Sequence, residues 1–256
     1  MLIMILPLSF SVQAVIEFDQ NITPDIIFGA GNTNGQFTTD RDNGIEVGIR
    51  AKIPFVGTVN SNGDGTYSYN LGDTWNFDWT INTDFDGSTG LNLDQFTYEL
   101  GLDADPGLGV NYLVFDSVTP TMATPFFDHS IGDNTTANGA GVEATDGPSY
   151  VGLLAANNVL QQSWRYAFFP VPPLDTYDPN IAGTYAVYLL VRDGTGTVVA
   201  RSNIQVLIGG APPVLPAVSV PVFNNIGLMT VLFMLVFFGY IGLKKGNYHS
   251  IESNNK

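Results

Sequence analysis

Apolar and polar residues that alternate with a period of two restrict the fold of this chain more than any other feature. The alternation is clearest in the stretch 75–81, and no stretch ahead of residue 211 sustains a helical period over several turns. The sequence therefore predicts an all-β fold: a single antiparallel β-sandwich, immunoglobulin-like or jelly-roll-like, with at most one short helix. Four apolar residues of the stretch share one face, which is predicted to be the centre of the core, with an aromatic platform for sugar stacking as the alternative: Trp75, Phe77, Trp79 and Ile81.

Short alternating runs, separated by clusters of Gly, Asn, Asp, Ser and Thr, mark the other elements. One helix is predicted over 149–162, and long loops over 117–149. The strongest hairpin joins 184–192 to 197–208 through Asp193-Gly194-Thr195-Gly196. The remaining strands are predicted at 25–28, 44–52, 66–71, 95–102, 110–116 and 162–169.

An uncharged apolar run occupies residues 226–243 and is followed by Lys244 and Lys245. Eighteen helical residues extend roughly 27 Å, close to the hydrocarbon thickness of a bilayer. The run is therefore predicted to be a transmembrane helix, with a proline-rich spacer and sorting motif over 211–225 ahead of it. The two lysines predict a cytoplasmic tail over 244–256 and place the β-sandwich, 15–210, outside the membrane.

The first fourteen residues are apolar and end in Ser11-Val12-Gln13-Ala14, a small-residue pattern that suits cleavage by signal peptidase after Ala14. No Lys or Arg precedes the apolar run, so we expect a short basic segment upstream of the given start. A buried first strand is the alternative interpretation of residues 1–14. Export is the expectation that follows from the first interpretation.

Charge and cysteine content exclude several classes of function. The 256-residue chain carries 24 Asp and Glu against 9 Lys and Arg, for a net charge of -15, which argues against nucleic acid as a partner. Such acidity favours solubility and the binding of divalent cations. The chain has no cysteine, so thiol catalysis and thiolate metal sites are impossible. A domain of about 200 residues can form a sufficient core without disulfides.

The order of proline motif, apolar span and basic residues at the C-terminus resembles the tripartite sorting signals of PEP-CTERM and IPTL-CTERM proteins, which exosortases process. The Ile-Pro-Thr-Leu-Ser-Glu-Trp-Gly pattern of the second group aligns with residues 220–227 and keeps its proline and glycine six positions apart. The stretches 45–52, 75–82 and 128–134 and the final hairpin also resemble the ectodomains of uncharacterised PEP-CTERM proteins. The resemblance implies an exosortase-type partner, and a context of exopolysaccharide or biofilm. The sorting residues would be Val220, Pro221, Val222, Phe223, Gly227, Lys244 and Lys245.

Two short motifs contain residue types that carry chemistry. Asn60, Asn62 and Asp64, followed by Gly65, match the first half of a calcium loop, but Leu71 stands where a bidentate acid is needed. An Asx-rich hairpin turn is the favoured interpretation, and calcium is the only cofactor considered. Asp128-His129-Ser130 contains acid, base and nucleophile types, yet the side chains of consecutive residues diverge. A loop or capping role is favoured there, and no catalytic residue is assigned.

Three functions remain open at this point. The first is a non-enzymatic structural or interaction protein of the cell surface, either anchored in the envelope or released after processing and associated with a polysaccharide matrix. The second is a glycan-binding module that uses exposed aromatic residues, with or without calcium. The third is a secreted polysaccharide hydrolase that uses paired carboxylates. Burial of the tryptophans Trp75, Trp79 and Trp164 would remove the obvious sugar-stacking platform.

Overall fold

Two β-sheets with a shared hydrophobic core make up most of the protein in the computed structural model, which describes residues 16–56, 59, 61–119 and 128–213. The first sheet contains β1 (Ile16–Gln20), β2 (Phe37–Asp42), β3 (Ile45–Lys52), β5 (Asn76–Asn82), β8 (Ser130–Gly132) and β9 (Val159–Arg165). The second sheet contains β4 (Thr66–Tyr69), β6 (Thr97–Asp103), β7 (Tyr112–Phe115), β10 (Gly183–Arg192) and β11 (Val198–Ile208). The predicted β-rich fold is confirmed at this level.

Strand order puts the most apolar strands at the centre of each sheet. The first sheet runs β1-β2-β3-β5-β9-β8 and the second β4-β11-β10-β6-β7. The inner faces meet in one core, to which Ile49 and Trp79 contribute from the first sheet and Leu100, Val187 and Leu189 from the second. The predicted hairpin is β10 and β11, which pair antiparallel along nearly their whole length.

One strand pair departs from the predicted antiparallel arrangement. β4 runs parallel to β11, with Thr66 beside Gln205 and Tyr69 beside Ile208. The second sheet is therefore mixed, and the prediction of antiparallel pairing throughout is wrong. The chain crosses from the first sheet to the second between β3 and β4, and an isolated antiparallel bridge joins Ser61, in this connection, to Tyr67 of β4.

The short helix begins and ends earlier than the sequence suggested. It spans α1 (Gly147–Ala156), and Oδ1 of Asp146 caps it by accepting a hydrogen bond from the Ser149 N–H at 2.8 Å. Asn157 adopts an extended backbone and ends the helix, so that β9 starts at Val159 rather than at residue 162. Three 3-10 turns complete the helical content of the described residues: Leu93–Gln95, Tyr166–Phe168 and Leu174–Thr176.

The predicted strand at 25–28 is wrong, although its apolar residues are buried. A side-chain amide takes the place of a neighbouring strand: Gln161 Oε1 accepts from the Ile27 N–H at 2.9 Å, and Gln161 Nε2 donates to the Asp25 carbonyl at 2.8 Å. Ile22, Ile26 and Phe28 form a second, smaller cluster with Phe37. Ile22 also lies over Gly48 of β3, so this segment covers the outer face of the first sheet.

Within the described residues, no helix is long and apolar enough to cross a membrane. The predicted spans 1–14 and 226–243 and the tail after residue 243 lie outside the described residues.

Candidate functional site

The three tryptophans belong to the core. Trp75 is 1 % exposed, Trp79 0 % and Trp164 7 %. The Trp75 ring stacks on Tyr166 at 4.4 Å between centroids, and its Nε1 donates to Tyr177 Oη at 3.0 Å. The apolar stripe of β5 is therefore a core face, as favoured from the sequence, and these rings form no exposed surface on which a sugar could stack.

The residues of the Asp128-His129-Ser130 motif point to different neighbours. Asp128 Oδ1 accepts from Gln162 Nε2 at 2.8 Å, whereas the buried ring of His129 has its Nδ1 3.2 Å from Tyr150 Oη. Burial lowers the pKa of His129 to about 3, so the imidazole is neutral at physiological pH. The ring packs edge-on against Trp79 at 5.4 Å. His129 thus serves as a core residue in this arrangement.

The candidate calcium loop is a hydrogen-bonded turn where the structure describes it. Asp64 Oδ1 accepts from both the backbone N–H and the hydroxyl of Thr66, at 3.1 and 2.7 Å. Asn62 donates through its side chain to the same hydroxyl at 2.7 Å. Asn60 lies outside the described residues, and no cluster of three or more metal-ligating acids or histidines occurs within them. The turn stays the favoured interpretation, and calcium binding by Asn60, Asn62 and Asp64 stays the alternative to it.

The remaining assigned residues, Ala14 and the sorting residues from Val220 to Lys245, all lie outside the described part of the chain. Their roles stay predictions that rest on the sequence.

A buried cluster of charges, not singled out from the sequence, lies on the outer face of the first sheet. Arg50 of β3 stands directly opposite Asp78 of β5, and Lys52 is two residues further along β3. Arg50 Nε and Lys52 Nζ each lie 2.9 Å from the same oxygen, Asp78 Oδ2. Arg50 is 2 % exposed and Asp78 0 %. Two cations thus share one carboxylate, so the cluster carries an excess positive charge.

The segment between β1 and β2 covers this cluster. Arg50 Nη1 donates to the carbonyls of Thr33 and Gly35 at 3.0 and 2.7 Å, and the guanidinium lies over the Phe37 ring at 4.4 Å from its centroid. Lys52 Nζ donates to Asn32 Oδ1 at 3.2 Å. Hydrogen bonds of this kind are needed to hold charges out of water, since an unpaired buried charge is strongly unfavourable.

A cavity of about 490 Å³ opens beside the cluster. Its polar lining comes from Lys52, Arg50, Asn32, Asn76 and Ser163, and its apolar lining includes Phe28 and Phe55. Asn76 Nδ2 donates to Ser163 Oγ at 3.1 Å, whereas Asn76 Oδ1 is buried without a hydrogen-bond partner among the described residues. This volume lies within the usual range for small-molecule sites, roughly 300 to 1,000 Å³.

The sequence contained a signal for this site, but an ambiguous one. Arg50 and Lys52 alternate with the core residues of β3, and Asn76 and Asp78 with those of β5. Such polar positions ordinarily face solvent in an antiparallel sheet. Only the packing of the preceding segment buries them, and that packing depends on contacts distant in sequence.

No family model matches the chain, and no curated protein matches it.

Proposed function

We propose that this chain is an exported, non-enzymatic structural or interaction protein, held at the cell envelope by a C-terminal helix and sorted by an exosortase-type enzyme. The observation that carries the proposal is the order of features at the C-terminus. The β-sheet structure ends with β11 at Ile208, and the proline-rich stretch, the uncharged run 226–243 and Lys244-Lys245 follow in that sequence. We take its finer fold to be a sandwich of the immunoglobulin-like or jelly-roll-like type.

The described part of the protein is consistent with display outside a membrane. It needs no cysteine for a core that draws on both sheets, and the net charge of -15 of the full chain favours a soluble, well-hydrated surface. A polysaccharide matrix is the proposed surrounding, on the strength of the resemblance of the C-terminal signal.

Membrane partition tests the proposal. Residues 15–256, placed behind an established secretory signal peptide in a Gram-negative host, should stay in the membrane pellet after alkaline carbonate extraction. The matched control ends at residue 213 and lacks the apolar run; it should be recovered in the soluble periplasmic fraction. Recovery of both forms in the soluble fraction would refute the anchor.

Coexpression with an exosortase should shorten the longer form, and an unchanged intact mass of that form would refute processing.

A second candidate, glycan binding, is favoured by one observation. The tryptophans are buried, but the cavity beside Lys52 combines an exposed aromatic ring, Phe55, with the polar side chains of Asn32, Asn76 and Ser163. Protein sites for small polar ligands commonly combine an apolar wall with a few convergent hydrogen-bonding groups.

A further inference from the structure

The charge balance of the cavity points to an anionic ligand. Arg50 and Lys52 are two of the nine cations in a chain of net charge -15, and they lie together beside a single buried carboxylate, that of Asp78. A ligand carboxylate near Lys52 would neutralise the excess charge. An ammonium group has three N–H donors. Among the described residues, Lys52 Nζ has two acceptors for them, Asp78 Oδ2 and Asn32 Oδ1.

A third cation lies on the same face. Register places Lys52 beside Asn76, and Asn76 beside Arg165 of β9. Paired residues of neighbouring strands project to the same side, so the side chains of this row all face outward from the core. Two strand spacings separate Lys52 from Arg165, roughly 10 Å. Arg165 Nε is buried and has no hydrogen-bond partner among the described residues.

An unpaired acceptor in the cavity lining, next to Lys52, indicates that the ligand also carries hydroxyl groups. Asn76 Oδ1 is buried and accepts no hydrogen bond from the described residues. Buried acceptors are nearly always satisfied in folded proteins, by protein groups, water or ligand. An anion without hydroxyl groups, such as acetate, would add only acceptors here, whereas a hydroxylated anion supplies O–H donors as well.

An exposed aromatic ring at the cavity supplies the apolar contact. Phe55 is fully exposed and adopts φ +62°, a left-handed conformation that is rare for a bulky residue. Backbone strain of this kind is concentrated at functional positions. The C–H faces of a sugar ring pack well against an aromatic side chain.

We propose that this cavity binds a uronic acid residue, free or within an acidic polysaccharide. Its carboxylate lies at Lys52, its hydroxyls bond to Asn76 and Ser163, and its ring packs against Phe55. The proposal deepens the glycan-binding candidate by naming the sugar class. It is independent of the membrane anchor, because binding can be measured with the full chain in detergent whether or not residues 226–243 cross a bilayer.

Calorimetric titration of the full chain with galacturonate, glucose, acetate and phosphate tests the proposal. Galacturonate should bind, and glucose and acetate at least tenfold more weakly. Equal binding of glucose would refute the role of the charge, and equal binding of acetate would refute the role of the hydroxyls. Equal binding of phosphate would refute recognition of the sugar ring. Absence of galacturonate binding would overturn the proposal as a whole. Trigalacturonate binding more tightly than the monosaccharide would identify the polymer as the source, and equal affinity would identify the free sugar acid.

Matched variants locate the binding. Lys52→Met removes the excess charge but leaves the Arg50–Asp78 pair, and should weaken galacturonate binding at least tenfold. Arg192→Met removes one cation from the hairpin of the other sheet and should leave binding unchanged.

Phe55→Ala changes an exposed side chain and should weaken binding several-fold even if Lys52→Met fails to fold. Leu108→Ala, at another exposed apolar residue, is its control. Unchanged galacturonate binding in Phe55→Ala would refute this site. So would a loss of binding in Arg192→Met equal to that in Lys52→Met, or in Leu108→Ala equal to that in Phe55→Ala.

Discussion

Asp78 is the residue on which the buried charges of the first sheet depend. Both of its cationic partners lie 2.9 Å from Oδ2, and the other contacts of Arg50 and Lys52 are neutral carbonyls, a neutral amide and aromatic rings. Removing the carboxylate would therefore leave two cations in a covered site with no counter-charge among these contacts.

Asp78→Asn should lower the free energy of unfolding by about 3 to 5 kcal/mol, because breaking a buried ion pair leaves an uncompensated charge. Urea unfolding followed by tryptophan fluorescence measures the loss. The control is Asp94→Asn, at an exposed carboxylate in a 3-10 turn, which should change stability by no more than about 0.5 kcal/mol. Equally small losses in the two variants would contradict the structural importance of the cluster.

His129 should make the fold sensitive to acid. Burial depresses its folded-state pKa to about 3 from an ordinary value of 6.5. The unfolded chain then binds more protons between these values, so the contribution of this residue is fully present above pH 6.5 and is lost as the pH falls towards 3. His129→Phe should show a smaller loss of stability over that window than the unaltered protein. An NMR titration in which the His129 imidazole protonates near pH 6.5 would contradict the account.

At the residue scale, the sequence predicted which side chains share a face but not which faces are covered. The prediction that Trp75, Phe77, Trp79 and Ile81 form a core face is confirmed. Asp78 lies between them in sequence and therefore on the opposite face of the strand, yet it is fully buried. The difference arises because the segment between β1 and β2 packs on the outer face of the first sheet, and no local sequence pattern predicts that contact.

At the scale of the element, β6 is held against its neighbours by an aromatic side chain that lies over a glycine. The ring of Tyr188 in β10 occupies the space that a Cβ of Gly101 would take. Tyr188 Oη donates to Glu99 Oε1 at 2.8 Å, and the Arg201 guanidinium lies over the ring at 4.8 Å from its centroid. These contacts leave the ring little freedom to move.

Gly101→Ala should therefore destabilise the protein by about 1 to 3 kcal/mol, because the added methyl group displaces a packed ring. The control is Gly152→Ala in α1, where the added atom meets nothing within 4 Å. That substitution should stabilise the protein by roughly 0.5 to 1 kcal/mol through helix propensity. Thermal unfolding distinguishes the two, and a neutral or stabilising Gly101→Ala would show that Tyr188 moves aside freely.

The turn before β4 provides a test of the calcium hypothesis. Because Asp64 already accepts two hydrogen bonds from Thr66, Asp64→Ala should lower stability by about 1 kcal/mol without any calcium. The melting temperature of the unaltered protein should be the same in calcium and in chelator. A rise with calcium that Asp64→Ala abolishes would establish a metal site instead of a turn.

The strands with the clearest alternation were predictable, and those formed by distant contacts were not. The observed β3, β5, β10 and β11 agree with their predicted ranges to within one residue at each end. β1, β2 and β8 were not predicted. The three residues of β8 lie in a stretch rich in Thr, Gly and Asn, and its pairing with β9 comes from residues about thirty positions later. The parallel pairing of β4 likewise depends on β11, far along the chain.

At the scale of the whole molecule, we propose a topology in which the β-sheet structure lies outside a membrane and the C-terminal tail inside. The absence of cysteine allows this to be tested by single-cysteine labelling, since the unaltered chain has no background reaction with maleimides. Gly194 lies in the turn between β10 and β11, where an added Cβ would meet no atom within 4 Å. Ser253 belongs to the tail outside the described residues.

The most direct measurement compares Gly194→Cys and Ser253→Cys in cells whose outer membrane alone has been permeabilised, using a membrane-impermeant maleimide. Gly194→Cys should be labelled in these cells, whereas Ser253→Cys should be labelled only after the inner membrane is lysed. Labelling of both sites before lysis, or of neither until lysis, would contradict a membrane-anchored protein with its β-sheet structure outside.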